Sequence, residues 1–243
     1  MKRTLVCFLL CTFVGTGASA QLTAQQEQSA LHEHNQIRSD VASGLVDDEP
    51  PATDMVKLAW DDDLAQVAQG WVDQCHFAHN PNRTAQYGAL AGGSTYVGEN
   101  LALYLTTSHS PPDIVGFALD LWFAEQQNYV YGPIDGSSST GHYTQLVWAD
   151  THDVGCALAV CPGSAFGYSN AFTGYYLACD YAQGGNYTGD YPYEAGPTAS
   201  RCPADYPNLE NGLCAMPEPG GIAMLGSGAL LLTQLHRRRP RIT

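Results

Sequence analysis

The uneven distribution of eight cysteines constrains the fold of this 243-residue chain more than any other feature. Cys7 and Cys11 lie in an N-terminal apolar run, Leu5 to Val14, which follows Lys2 and Arg3 and precedes Ala18-Ser19-Ala20. A short basic region, an apolar stretch too short to span a bilayer and a small-residue cleavage site read as a secretory signal peptide over residues 1–20. The other six cysteines are Cys75, Cys156, Cys161, Cys179, Cys202 and Cys214. An even number in an exported chain predicts three disulfides. They form no paired CxxC motifs, so a cysteine-based zinc site is not expected. Six cysteines allow fifteen pairings, and spacing alone does not choose among them.

The C-terminus is equally organised. Pro217-Glu218-Pro219 is followed by Gly220 to Leu235, mostly apolar and small, then by His236 and Arg237, Arg238, Arg239 and Arg241. An apolar stretch closed by a basic cluster reads as a stop-transfer signal with its basic end held in the cytoplasm. At about 16 residues it falls short of the roughly 20 that a permanent span needs, which suits a transient sorting signal better than a plain anchor. The tripeptide, apolar run and Arg cluster over 217–243 resemble the bacterial PEP-CTERM sorting signal. That resemblance implies a bacterial envelope protein, secreted or at the cell surface, with an exosortase-type peptidase as its processing partner.

Between these ends lie only four of the chain's 10 Lys and Arg (Arg38, Lys57, Arg83 and Arg201), but all of its 24 acids except Glu218, a net charge near −19. Such a domain repels nucleic acid and anionic lipid surfaces, so no nucleic-acid partner is expected; cations and neutral ligands remain compatible. About 196 residues suffice for one domain with a substantial core.

Hydrophobic spacing predicts a first helix over 24–42, with Leu31, His34, Ile37 and Val41 on one stripe. Gly44, Pro50, Pro51 and several acids mark 43–57 as a loop. Asp61 or Asp62 can cap a second helix running to about 77, with Leu64, Val67, Ala68, Trp71 and Cys75 on its buried face. Residues 80–95 read as a long surface loop. A third helix follows Pro111-Pro112, with Asp113 near its start and Ile114, Phe117, Ala118, Leu121 and Trp122 on its apolar face. Val154–Cys161 and Thr173–Tyr181 read as antiparallel neighbouring strands. From 183 onward Gly, Pro, Asn and Tyr predict irregular structure. Helices early and strands late give an α+β fold, helices packed on a small, mainly antiparallel sheet.

Two carboxylates fall where such a fold does not want them. Glu125 continues the apolar stripe of the third helix, and strict alternation places Glu99 with Val97, Leu101 and Leu103, pointing inward if the stretch is extended. A buried carboxylate needs pairing or hydrogen bonds. With so few basic residues, the candidate partners are histidines, backbone amides or a metal ion. His34, on the stripe of the first helix, reads as a satisfied core histidine, and His76, His109 and His152 as exposed or peripheral.

Several motifs, in order, carry a family resemblance. Gly141-His142-Tyr143-Thr144-Gln145-Leu146-Val147-Trp148, then Thr151 and Val154-Gly155-Cys156-Ala157, resemble the first signature of the CAP superfamily of cysteine-rich secretory proteins, venom antigens and plant pathogenesis-related proteins. Tyr176-Leu177-Ala178-Cys179-Asp180-Tyr181, then Gly185-Asn186-Tyr187, resemble its second. Upstream, His34-Asn35-x-x-Arg38, Leu58-x-Trp60, Cys75-x-Phe77-x-His79, Gly98-Glu99-Asn100 and Trp122-x-x-Glu125-x-x-x-Tyr129 fit the same pattern. The match runs from about 30 to 193 and implies a CAP (SCP) domain over 24–194, with a Cys-containing tail over 195–216. Asp180 stands where an uncharged or basic polar residue is usual, Gln183 replaces a common Pro, and the span from His79 to Glu99 is longer than in compact relatives.

The resemblance implies a disulfide-stapled α-β-α sandwich with bridges Cys75–Cys161 and Cys156–Cys179, leaving Cys202–Cys214. It also implies a cleft holding His79, Glu99, Glu125 and His142. In relatives the paired histidines bind a divalent metal such as zinc. Here that means His79 and His142 as ligands of a weakly bound Zn²⁺, with Glu99 and Glu125 behind them orienting the rings. No catalytic residue is established: there is no HExxH or GxSxG motif, although either Glu could serve as a base on metal-bound water. Three readings stand. The first is an extracellular binding or effector module for a lipid, sterol or protein ligand, which the aromatic surroundings of the second signature, Tyr175, Tyr176 and Tyr181, would permit, although they equally make core. The others are a metal-dependent hydrolase using the same four residues and an envelope or biofilm-matrix structural protein. The His–Glu cluster also has a purely structural reading, as a satisfied polar network. Asn82-Arg83-Thr84 and Asn186-Tyr187-Thr188 match the glycosylation sequon, idle in a bacterium.

Overall fold

In the computed structural model, which describes residues 21–217 except 109, 111 and 138, the chain begins with α1 (Ala24–Ala42). The signal peptide over 1–20, the sorting signal past Pro217 and His109 lie outside the described residues. Helix α1 starts where Thr23 and Gln26 form a reciprocal capping box. Its buried face is Ala30, His34, Arg38, Val41 and Ala42, whereas Leu31 and Ile37 are only half-buried. The expected stripe is therefore turned by part of a helical step, because the Arg38 guanidinium enters the core with backbone carbonyls as its acceptors.

Asp61 caps α2 (Asp62–Val72) by accepting from the Leu64 N–H. This helix stops about five residues earlier than expected. Cys75 takes a left-handed backbone, φ 53°, beyond its end and bonds to Cys161 from a turn rather than from a helical face. Residues 80–95 are not simply loop: α3 (Arg83–Tyr87) and a wider turn, Gly88–Gly92, form there, anchored by the buried Tyr87, whose hydroxyl donates to Asp61. Asp113 caps α4 (Ile114–Phe123), which continues as a tighter turn over Ala124–Asn128. Leu121 is exposed, and Val115 and Leu119 join Ile114, Ala118 and Trp122 on the buried face. The final helix of the core, α5 (Gly141–Leu146), carries the first signature.

The main sheet joins β1 (Ala59–Trp60), β2 (Val97–Thr106), β3 (Asp153–Pro162) and β4 (Thr173–Ala182) in the order β1-β3-β4-β2. Only the short β1–β3 pairing is parallel; β3–β4 and β4–β2 are antiparallel ladders. The register sets Cys156 opposite Cys179, and a disulfide joins them. Small side chains Ala157, Ala159 and Ala178 let α2 pack closely on one face through Ala68 and Val72. The other face carries Cys156, Leu158, Leu177, Cys179 and Tyr181 against α1, α4 and α5, where Trp122 and Tyr143 are fully buried. The result is an α-β-α sandwich.

The tail is more ordered than expected. Strands β5 (Asn208–Glu210) and β6 (Leu213–Ala215) form a hairpin stapled by Cys202–Cys214. The Cys214 backbone bonds both Met55 and Lys57. Part of the 43–57 loop is thereby held in the interior, with Met55 and Val56 buried.

Candidate functional site

Strand β2 lies at one edge of the sheet, and its side chains alternate between the two helical layers. Glu99 shares a face with Leu101, on the side covered by α2; Asn100 shares the opposite face with Ala102, on the side of α1, α4 and α5. Each layer brings one histidine to this strand. Gly98 permits the approach, because a Cβ there would collide with Gln145 Oε1 from the end of α5.

From the α2 side, His79 Nδ1 lies 2.8 Å from Glu99 Oε1, which also accepts the Asn80 N–H at 2.9 Å. The His79 side chain is 58% exposed and that of Glu99 fully buried, so the carboxylate is the fixed partner and the imidazole the presented one. From the other side, His142 opens α5. Its Nδ1 lies 2.7 Å from Glu125 Oε1, while Glu125 Oε2 accepts the N–H groups of His142 at 2.8 Å and Tyr143 at 3.2 Å. Burial raises the Glu125 pKa, but the hydrogen bond and charge of His142 and the two backbone donors outweigh it and hold the carboxyl below its usual value. The His142 ring stacks on Trp122 at 6.1 Å, and Trp122 Nε1–H donates to the Leu101 carbonyl of β2.

Both inward acids are thus where sequence periodicity put them, each paired with one histidine. An ionised carboxylate can only accept, so each imidazole, in its neutral form, carries its proton on Nδ1. Neither Nε2 makes a hydrogen bond among the described residues. In the neutral ring each is a lone-pair donor. Among the described residues no three His, Cys, Asp or Glu side chains converge as a metal-holding group.

Sequence reasoning missed Asn100 as a tie between the sheet and α5. Its side-chain amide donates to the His142 carbonyl at 3.1 Å and to the Tyr181 hydroxyl at 3.3 Å. Its place directly after Glu99 on an alternating strand was the available signal. Tyr181 in turn meets His34 Nε2 at 2.9 Å, and His34 Nδ1 meets the Ala30 carbonyl at 2.7 Å. His34 is therefore a satisfied core residue at the far end of the same network. Burial pulls its pKa down to about 4, opposed by the Ala30 bond. Tyr176 and Tyr181 are fully buried core residues and Tyr175 is half-buried, so these tyrosines do not rim the site. The exposed aromatic residues nearest the site in sequence are Phe77 and Tyr96, with Tyr96 packed on the exposed Tyr187 at 5.6 Å. Exposed His76 and half-buried His152 are peripheral: His76 packs on Trp71 and His152 on Tyr206.

A family model for the cysteine-rich secretory protein family, CAP, matches residues 31–181. The chain belongs to the CAP family. It is 36% identical over 184 residues to glioma pathogenesis-related protein 1 of Mus musculus, covering 76% of this chain and 62% of that protein. It is 34% identical over 221 residues to cysteine-rich secretory protein 2 of Cavia porcellus, covering 86% and 79%. Among solved structures, the crystal structure of NaASP2 with Zn²⁺ matches with a TM-score of 0.66 at 27% identity, covering 80% of this chain and 97% of that one. The mixed α+β CAP architecture and the three disulfides among the described residues agree with what the resemblance implied. Bridges of this kind persist in oxidising compartments, which makes this an extracellular type of CAP domain.

Proposed function

We propose that this CAP protein is an extracellular binding module whose His79 and His142 imidazoles take a divalent cation, Zn²⁺ in the first instance. The observation that carries the reading is the occupation of both Nδ1 atoms by carboxylates, which leaves both Nε2 lone pairs available. Neutral imidazole with an anchored second nitrogen is a good zinc donor. Two protein ligands, against the three usual at a catalytic zinc, make a weak and open site whose remaining positions fall to water or to a ligand. That the related NaASP2 was solved with Zn²⁺ supports the choice of metal.

Both Glu125 oxygens are committed to His142 and to backbone amides, Glu99 Oε1 is committed to His79 and the Asn80 N–H, and the other Glu99 oxygen is buried, so neither carboxylate is presented as a base on metal-bound water. This favours binding over hydrolysis. A lipid, sterol or protein ligand fits the exposed aromatics Phe77, Tyr96 and Tyr187. The segment 217–243 supports handling at a bacterial cell surface by an exosortase-type peptidase, which the mass of the mature protein would test.

Calorimetric zinc titration at neutral pH tests the reading. Micromolar binding that is lost in His142→Ala and in His79→Ala is the expected result. No binding by the native protein, or binding that survives in the double variant, refutes it.

A further inference from the structure

Asp180 lies on β4 directly opposite Glu99 of β2 in the antiparallel register. Directly opposed side chains have Cβ atoms about 5 Å apart and share one face of the sheet. Asp180 is completely buried. Neither of its oxygens has a hydrogen-bond partner, and neither does Glu99 Oε2. Three buried acceptors therefore face one another without a donor between them. Two ionised carboxylates in that position would repel each other and lack hydration, and a single proton between them removes both problems.

The neighbours decide which carboxyl holds the proton. Glu99 Oε1 accepts from His79 and from the Asn80 N–H, and donors of this kind favour the charged form. Asp180 accepts from nothing. The other charged or titratable groups acting on it are Arg83 on α3 and Tyr176 and Tyr181 on its own strand; β3 places Gly155 opposite it. Arg83 does not neutralise it by contact, because its guanidinium is bonded to the carbonyls of Val97 and Asn80. Burial is the largest influence on Asp180 and raises its pKa, the charge of Glu99 adds to this, and Arg83 opposes.

We propose that Asp180 is a positioning residue for the His79–Glu99 pair, a neutral carboxylic acid whose hydroxyl donates to Glu99 Oε2. The proton remains on Asp180. Glu99 is then held at both oxygens, with His79 and Asn80 on one and Asp180 on the other, and cannot rotate away from His79 Nδ1. The role holds whether or not the imidazole takes a cation. Ionisation of Asp180 at high pH sets like charges against each other and loosens the grip on His79.

The sign of the pH dependence follows from where the proton is bound. The folded chain keeps a proton on Asp180 that the unfolded chain loses above about pH 4. The folding equilibrium therefore falls as pH rises from about 4 toward the folded-state pKa, by about tenfold per pH unit. Asp180→Asn supplies a fixed N–H donor of the same shape that does not titrate, and Asp180→Leu supplies none.

Two measurements on the native protein and these variants test the assignment. Carboxyl carbon NMR should show Asp180 protonated at pH 7. Urea unfolding should show the advantage of Asp180→Asn over the native protein growing by about tenfold per pH unit above pH 4, then levelling. Asp180→Asn should also keep His79 in the Nδ1–H tautomer, and Asp180→Leu should lose it. An Asp180 carboxyl titrating at the usual aspartate value, or an Asn variant whose advantage does not change with pH, overturns the proposal. So does Asp180→Leu matching Asp180→Asn in both stability and tautomer.

Discussion

Replacing Arg38 by Met tests how the CAP core positions the helix that carries His142. The guanidinium is fully buried and donates to five backbone carbonyls: Val56 at 2.6 and 2.9 Å, Leu146 at 3.0 Å, Trp148 at 2.7 Å, Ala149 at 3.2 Å and Thr151 at 3.3 Å. These belong to the 53–57 segment and to the end of α5 with the turn after it. Burial lowers the Arg38 pKa to about 9, opposed by the charges of Asp54, Tyr181 and Asp150, so the group stays cationic at neutral pH. Among the described residues, Trp148 and Ala149 keep other donors, the N–H groups of Thr151 and Val56, whereas the carbonyls of Val56, Leu146 and Thr151 lose theirs. An orphaned buried acceptor costs about 1–3 kcal/mol, so three give roughly 3–9 kcal/mol, and partial hydration draws the expected loss toward about 4 kcal/mol. Domain stability is only about 5–15 kcal/mol, so this is a large fraction of the total. Arg38→Lys, a charged point without the planar fork, should lose about 2 kcal/mol. Urea unfolding at pH 7, read as midpoint and slope, measures both. A loss below about 1 kcal/mol for Arg38→Met with an unchanged slope would refute the reasoning.

His34, neutral in the fold with a pKa near 4, contributes stability that is fully present above its unfolded pKa of 6.5 and is lost as pH falls toward 4. Unfolding followed between pH 7 and 4 should show up to about 3 kcal/mol of that loss disappear in His34→Gln. Glu125→Gln keeps one acceptor oxygen and turns the other into an NH2 group, so either His142 Nδ1–H or the two backbone N–H groups lose their acceptor, and denaturant unfolding should register a loss of about 2 kcal/mol. Opening the Cys202–Cys214 bridge, a sequence separation of 12, with serine at both positions should cost about 2–3 kcal/mol in thermal unfolding and leave the tautomers of His79 and His142 unchanged.

Much of this architecture was legible because it rests on local rules. Helix α1 has the bounds its hydrophobic periodicity implies, and β3 and β4 pair as two strands of matching length. Glu99 and Glu125 stood out as acids on apolar patterns, and both found histidines. What escaped depends on contacts distant in sequence. Arg38 is buried because carbonyls more than 100 residues away converge on it, and no periodicity in α1 announces that. The early end of α2 follows from Cys75, whose partner lies 86 residues on. Leu121 fell out of the core because the apolar surface of α4 is nearly continuous, so spacing alone did not fix which residues face the sheet. The importance of Asp180 became visible only when strand register set it against Glu99.

The central claim is that two carboxylates hold His79 and His142 by Nδ1 and leave Nε2 open. Long-range proton–nitrogen NMR of the imidazole rings, at a pH where both are neutral, reads the tautomers directly. Protonation at Nδ1 in both rings, with Nε2 bare, and its loss at His142 in Glu125→Ala and at His79 in Glu99→Ala, is the expected result. A proton on Nε2 of either ring in the native protein would contradict the account.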